Sequence, residues 1–595
     1  MRKILGIVTA IFVALLLIII GAMSLSSGEQ IDEKINIATL VATPDVQVMI
    51  EDTVEINDLP LVDNPEVYQF DDPDSVVYMY ITVQKGNASD NTNHTWKEVN
   101  SNSKWFFTNQ VHVVVDKAEV IVQIGDETGP LPGEIGYAEL APNATIQIRG
   151  ASTSREVQKS YKIELRDRAG KWRGQSTIAI NKHVYDLSRV RNKLAFDLMK
   201  EIPDLVSLRT QFVRLYVKDE TSDPSSEVFV DYGVFTQVEQ PNKAFLKNHL
   251  LDDDGQLYKA TQFEFFRYSE LIKTVDDVNY YESVFEEILE IKGNQDHTKL
   301  IQMLDDVNNY GIPIEQTFEK YFDADNYFTW MAFNILVGNI DTQSQNFYLY
   351  SPKNSEKWYF LPWDYDSSFD RLNRELVEDS DYEDWEYGIA NYWGSVLPNR
   401  VLRVKAYRDL LTEKVEDLKI FLTEERIQSM LDTYRPIVEP FVSRMPDSFY
   451  LYGTMSEFDR EYGTIPLEIE NNYQLYYESL EAPMPFHLEK PRYVGEGMYF
   501  NWDESYDFIA QDITYEFVLS RDWEFQDIVV EREVENVTYV IIPYLDPGTY
   551  FWKVTSENEE EVEQSSFSFY TDAEGVRHSG FKYLFITEEG EIVEE

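Results

Sequence analysis

A chain of 595 residues is too long for one ordinary core and predicts about three or four folding units, while 43% hydrophobic and 14% aromatic residues exclude a disordered chain. Its 52 Lys and Arg against 106 Asp and Glu, a net charge of −54, argue against a nucleic-acid partner and favour cationic partners and divalent metals. With no cysteine there is no disulfide framework and no thiol nucleophile, and the seven histidines show no pair at ligand spacing, which argues against a zinc hydrolase.

In chain order, Arg2 and Lys3 precede an uncharged apolar run at residues 4–22, long enough to span a bilayer core. Residues 1–28 therefore read as a signal peptide or an N-terminal membrane anchor, with the length of the run favouring a retained anchor. The expected location is exported: membrane-anchored, or secreted to the cell surface. Residues 29–110 read as an acidic, β-rich lead-in around "VVYMYITVQ". From residue 111 strand patterns continue through "VHVVVDKAEVIVQIGD", "ATIQIRGASTS", "SYKIELRD", "FVRLYVKD" and "DYGVFTQVEQ".

A helix is expected over "SRVRNKLAFDLMKEI", where apolar residues recur at spacings of three and four. The middle then turns helical through "VNYYESVFEEILEIKG" and "DHTKLIQMLDDVNNYG", the latter with Asp296 as N-cap. "DADNYFTWMAFNILVGN" is an apolar helix whose Gly338 suits the left-handed position after the C-cap. Further helices follow in "AYRDLLTEKVEDLKIF" and "TEERIQSMLDTYRPIVEPFVSRM". A β-rich half followed by a helical half is the α+β pattern. Residues 484–575 change to short alternating strands with a "DPG" turn, a β-sandwich resembling fibronectin type III modules with Trp502 and Trp552 in its core, and 576–595 read as an acidic tail.

The chemistry concentrates in "GNIDTQSQNFYLY" and "WYFLPWDYDSSF". Asp341 just past a helix end can accept a proton from an attacking hydroxyl. Asn346, five residues on, can offer its amide oxygen to a metal. Asp364 beyond the next strand completes an oxygen-rich site suited to Mg²⁺. Asp-x-x-x-x-Asn, a strand and another Asp is the order in which protein kinases present these groups, although the His-Arg before the first Asp is missing and "WDYD" stands where "DFG" would. The competing reading for any one of these residues is a solvated turn.

Together with "IQIRGASTS", "KSYKIEL", "RVRNKLAFDL", "DYGVFTQVEQ" and "LYKA", these motifs make the chain resemble the CotH kinases, atypical protein kinases of the secretory type. The resemblance runs from residue 146 to 370, with helical continuation to about residue 445, and it implies an atypical two-lobed kinase-like domain over 111–483. It further implies ATP and Mg²⁺ as cofactors, Asp341 as the catalytic Asp, and Asn346 and Asp364 as metal ligands, with Asp366 a supporting or alternative ligand. Lys159, with Lys162 as its rival, is the basic group expected at the phosphates. Arg149 and Ser152 belong to a turn over the phosphates that needs glycine at Gly150, and Glu239 is an acidic group expected to orient a lysine or a metal. For Arg191 and Asn192 a phosphate contact and a structural helix start are both open. Ala151 stands where many members have Asn.

The leading expectation is transfer of phosphate from Mg-ATP to Ser or Thr of a spore coat or surface protein, its substrate basic and Ser-rich to suit the acidic chain. The alternatives are a non-catalytic coat or adhesion assembly protein and a metal-dependent nucleotidyl transferase.

Overall fold

The computed structural model describes residues 60–103, 115–222, 224–225, 227–370, 385–495, 497–509, 511–572 and 577–593. Among these no helix is long and apolar enough to cross a membrane; the apolar run at 4–22 lies outside them.

The first half builds an eight-stranded sheet from β1 (Val76–Gln84), β2 (Ala118–Asp126), β3 (Gly129–Pro130), β4 (Ala144–Arg149), β5 (Ser160–Leu165), β6 (Thr177–Asn181), β7 (Thr210–Asp219) and β8 (Val230–Glu239). Its order is β1-β7-β8-β6-β5-β4-β2-β3, and β1 pairs with β2 as well as with β7, so the sheet closes on itself. Closure removes the exposed edges that an open sheet would have to protect. Alternate residues point inward, as the two-residue strand period requires. Met79, Ile81 and Val83 from β1 meet Val120 and Val122 from β2, Ile146 and Ile148 from β4, Ile178 and Ile180 from β6, and Val213 and Leu215 from β7.

A second, four-stranded sheet follows from β9 (Gln256–Ala260), β10 (Leu289–Ile291), β11 (Phe347–Ser351) and β12 (Tyr359–Pro362), in the order β10-β9-β11-β12. It packs with helices that include α1 (Arg191–Met199), α2 (Thr298–Val307), α3 (Ala324–Leu336), α4 (Lys405–Phe421), α5 (Glu424–Val442) and α6 (Glu468–Glu481) around one large core. The architecture is thus mixed, a β-rich half followed by a largely helical one. Helix α3 is buried on nearly every side, as its apolar composition demands, and Asp323 caps it by accepting the Asn326 N–H.

The C-terminal strands are β13 (Arg492–Val494), β14 (Gly497–Asn501), β15 (Thr514–Ser520), β16 (Ile528–Glu535), β17 (Tyr539–Ile542), β18 (Gly548–Glu557), β19 (Glu563–Gln564), β20 (Phe569–Thr571), β21 (Arg577–Ser579), β22 (Phe581–Ile586) and β23 (Ile592–Val593). A three-stranded sheet, β13-β14-β17, and a six-stranded one, β16-β15-β18-β22-β23 with β19 on β18, share a core. Met498 and Phe500 meet Phe517, Trp552 and Leu584 there, with Trp502 also buried. This unit is not free of the helical half. Trp393 stacks on Tyr506 at 5.5 Å, and the guanidinium groups of Arg403 and Arg408 lie 4.3 Å from the rings of Tyr506 and Phe508.

Four sequence readings are corrected. Within the lead-in expected at 29–110, residues 76–84 form β1 of the closed sheet, paired in parallel with β7, while 29–59 and 104–110 lie outside the described residues. Residues 577–593 are not a tail: Leu584 and Ile586 point into the shared core from β22, which pairs with β18, and Phe581 is buried on the other face against Phe551 and Tyr570. The helix expected over "VNYYESVFEEILEIKG" is short, Glu282–Phe285, after which the chain extends as β10 because Lys259 and Lys292 draw Glu290 against β9. His297, not Asp296, occupies the N-cap of α2, although Asp296 Oδ1 still accepts the Thr298 N–H at 3.0 Å.

Candidate active site

The site is built where α3 ends. Val337 is the C-cap and Gly338 follows at φ +61, where a Cβ would approach the Asn472 amide to 2.8 Å, so both backbone and space call for glycine. The chain then makes a short 3₁₀ turn, Ile340–Thr342, that carries Asp341. Thr342 Oγ1 shares a hydrogen bond with the Tyr392 hydroxyl at 2.8 Å, and Asn391 donates to the Ile340 carbonyl at 3.0 Å, so the turn is pinned on both sides. Asp341 is half-buried, with Gln345 Nε2 donating to its Oδ1 at 3.3 Å.

Next comes the hairpin. Phe347 of β11 pairs with Pro362 of β12 in antiparallel register. Asn346 therefore enters, and Trp363 and Asp364 leave, at the same end of the hairpin. Asn339 closes the remaining gap, its Nδ2 donating to the Asp364 carbonyl at 3.5 Å. Farther along, the Phe369 N–H donates to the Val337 carbonyl at 2.7 Å, so the end of α3 and the loop after β12 are stitched together. Asn346 and Asp364 both adopt left-handed backbone, at φ +60 and +57. That conformation costs a residue with a side chain about 1 kcal/mol and is borne best by Asn and Asp. Two such residues at one hairpin end mark a place where side-chain direction outweighs backbone comfort.

The electrostatics agree. Burial first, and then the neighbouring Asp366 carboxylate, push Asp364 up to about 6, against the opposing pull of Arg149, His183 and Lys259. Arg149, the last residue of β4, donates to Asn181 Oδ1 within the closed sheet, and its guanidinium lies 5.5 Å from the ring centroid of Trp363 beyond β12. Desolvation lowers its pKa, and Asp364, Tyr348 and Asp366 pull the other way. Lys259 on β9 stands opposite Tyr348 of β11 and 3.3 Å from Glu290. Burial alone would raise Glu290, yet Lys259 and Lys292 hold it at about 2.

Other expected site residues are placed elsewhere. Lys159 is buried and donates to the Ser154 carbonyl at 2.6 Å, bracing the "RGASTS" turn from inside. Lys162 pairs with Glu164 at 2.6 Å, half-exposed. Ser152 is exposed at the start of the 3₁₀ turn Ser152–Arg155, where Gly150 has φ +86 and a Cβ would lie 2.1 Å from Thr153 Oγ1. Ala151 caps that turn without a side-chain bond, and Ser154 Oγ donates to the Ala151 carbonyl at 2.6 Å instead. Glu239 meets neither expected lysine: it accepts from Arg209 Nε at 2.8 Å and faces His249 Nε2 at 3.1 Å in a buried cluster with Asp63.

Two groups that act on the carboxylates had no assigned role in the sequence. Lys259 was visible as the basic residue within "LYKA". His183 carried no signal, because its partner Asp366 is distant in sequence. Arg191 and Asn192 both bond to the loop after β12. Arg191, fully buried, donates to the Phe369 carbonyl and to Asp186 and Glu461, while Asn192 Oδ1 accepts the Tyr365 N–H at 3.2 Å.

Two carboxylates and one amide oxygen suit a hard cation that keeps waters and phosphate oxygens as further ligands, as Mg²⁺ does. Among the described residues there is no cluster of three or more His, Asp or Glu able to hold a metal by themselves.

A family model described as CotH kinase protein matches residues 146–476. The inner spore coat protein H of Bacillus subtilis (strain 168) is 26% identical over 375 residues, covering 61% of this chain and 94% of that relative.

Proposed function

The chain belongs to the CotH kinase protein family, and from that premise we propose that it is an atypical protein kinase that transfers phosphate from Mg-ATP to Ser or Thr hydroxyls. The observation that carries the reading is that Asn346 and Asp364 flank one hairpin end, both in left-handed backbone, beside the Asp341 turn. In this reading Asp341 orients the attacking hydroxyl and accepts its proton as the new oxygen–phosphorus bond forms and the bond from the γ-phosphorus to the departing ADP oxygen breaks. Asp364 and Asn346 hold the cation through their oxygens, with Asp366 in support. Arg149 and Lys259 place positive charge against the phosphates, a role in which they replace Lys159 and Lys162. A bound Mg²⁺ neutralises phosphate charge, so what remains for the protein is positioning and electrostatics.

Family membership implies ATP use; Mg²⁺ is part of the proposal. By likeness to the coat protein relative the location is a coat or cell surface, and the net charge of −54 favours basic, Ser-rich proteins there as substrates. The closed sheet and the helical half are proposed as the two lobes of the kinase-like unit, the C-terminal sheets as a fibronectin type III-like sandwich, and residues 1–28 as a signal or anchor.

The test is radiolabelled ATP with purified protein lacking residues 1–28, with and without Mg²⁺. Label on protein hydroxyls only with Mg²⁺ is expected. AMP adducts would make it a nucleotidyl transferase, and no turnover an assembly protein.

A further inference from the structure

The loop that carries both carboxylates is read out by a chain of hydrogen bonds whose direction is forced. The main-chain N–H of Tyr365, between Asp364 and Asp366, donates to Asn192 Oδ1 at 3.2 Å. The other end of that amide, Nδ2, bears only hydrogens, and it lies 3.4 Å from His183 Nε2. Nε2 must therefore be the acceptor, which leaves the single ring proton on Nδ1. Nδ1 lies 3.3 Å from Asp366 Oδ2, so the imidazole donates to the carboxylate. The histidine side chain is 4% exposed and has no room to turn away. Its backbone is held as well: His183 is left-handed at φ +47, and its carbonyl accepts from Arg189.

We infer that His183 is a positioning residue of the metal site, holding Asp366 beside Asp364 through an Nδ1–H whose tautomer Asn192 selects. The inference rests on the reading of Asp364 and Asp366 as cation ligands. A His that presents a defined N–H to a carboxylate restrains its rotation, and such outer partners change metal affinity or activity by about 10–100-fold when removed. The same amide that fixes the tautomer also holds the Tyr365 backbone, so Asn192 sets loop and imidazole together. This also accounts for the start of α1, whose Asn192 is 2% exposed and spends both ends of its amide on the site.

Two variants separate positioning from simple packing. Asn in place of His puts an N–H donor where Nδ1 stands and loses the acceptor; Gln puts an acceptor where Nε2 stands and loses the donor to Asp366. If His183 serves Asp366, His183→Gln lowers Mg²⁺-dependent phosphate transfer about 10–100-fold, and His183→Asn keeps at least ten times the activity of His183→Gln. Asn also tolerates left-handed backbone better, so rates are compared per folded molecule by circular dichroism and melting. Equal loss in both, or a more active His183→Gln, overturns the inference. A readout independent of catalysis is ¹⁵N-histidine NMR of the full-length protein without nucleotide, its seven histidines assigned by substitution. A His183 ring with its proton on Nδ1 and none on Nε2 is expected, and a proton on Nε2 overturns the assignment even where neither variant folds. If wild type transfers no phosphate, the kinase reading fails, while the spectrum still decides the tautomer.

Discussion

Glu239→Gln is the substitution that best separates a structural carboxylate from a ligand-facing one. The Glu239 side chain is 1% exposed and accepts from the Arg209 guanidinium through both oxygens, with the His249 ring at its Oε2. Burial alone would raise its pKa, yet the hydrogen bonds from Arg209 and His249 hold it at about 2 against an ordinary 4.5. At about 1.4 kcal/mol for each tenfold, the folded state favours the ionised form by about 3 kcal/mol. Gln keeps the shape and one acceptor but removes the charge, leaving Arg209 buried without its partner, a loss of the same order. Urea unfolding at pH 7, followed by tryptophan fluorescence, should show the variant about 3 kcal/mol less stable, with nucleotide binding per folded molecule within about twofold of wild type. The sign of the pH effect follows from a depressed acid. The contribution is complete above pH 4.5 and is lost as pH falls toward 2, so the two proteins should converge over that window. Unchanged stability together with lost nucleotide binding would refute this reasoning and return Glu239 to the ligand site.

Three further outcomes follow from the site. Asp341→Asn should keep the fold and metal binding but lower phosphate transfer by about 10²–10⁴-fold, and a rate within a few-fold of wild type would make Asp341 a polar turn residue. Asp364→Ala should abolish Mg²⁺-dependent ATP binding by calorimetry with melting little changed, and an unaltered affinity would remove it as a ligand. Lys162→Ala should change nucleotide affinity by less than about twofold, because a half-exposed pair with Glu164 contributes about 0–1 kcal/mol; a tenfold loss would reinstate it as a phosphate contact.

How much of this was legible in sequence depends on the reach of each interaction. The strands of the closed sheet were readable from alternation, but not the closure, because β1 finds β7 in parallel far along the chain and no local pattern specifies a partner. "EILEI" resembles a helix by apolar spacing, yet the pairing of Glu290 with Lys259 and Lys292 on neighbouring strand positions decides for β10. The hairpin core of the site was legible because Asn346 and Asp364 lie 18 residues apart, at the two ends of one hairpin. Its basic half was not. Lys159 and Lys162 are the lysines nearest the "RGAS" turn in sequence, but one turns to the Ser154 carbonyl and the other to Glu164. Arg149 and Lys259 act on Asp364 from separate sheets.

The loop after β12 explains why two distant motifs occur together. Asp364, Phe369 and Asp370 all sit at positive φ, at 57, 55 and 47. Left-handed backbone costs about 1–2 kcal/mol at each such residue, so the loop carries a few kcal/mol that other contacts must offset. The opposing bonds come from outside it. Arg191 donates to the Phe369 carbonyl from Nε at 3.3 Å and from Nη2 at 3.2 Å, Asn192 holds the Tyr365 N–H, and Val337 accepts from Phe369. The two from Arg191 are charge-assisted and contribute about 1.5–3 kcal/mol each when buried, enough to match the strain. Arg191 can be fully buried because Asp186 and Glu461 flank its guanidinium, which raises its pKa despite desolvation. "VRNKL" and "WDYDSSFD" are thus one device in two pieces. The first stores no chemistry of its own, and the second cannot hold Asp364 in its conformation without it.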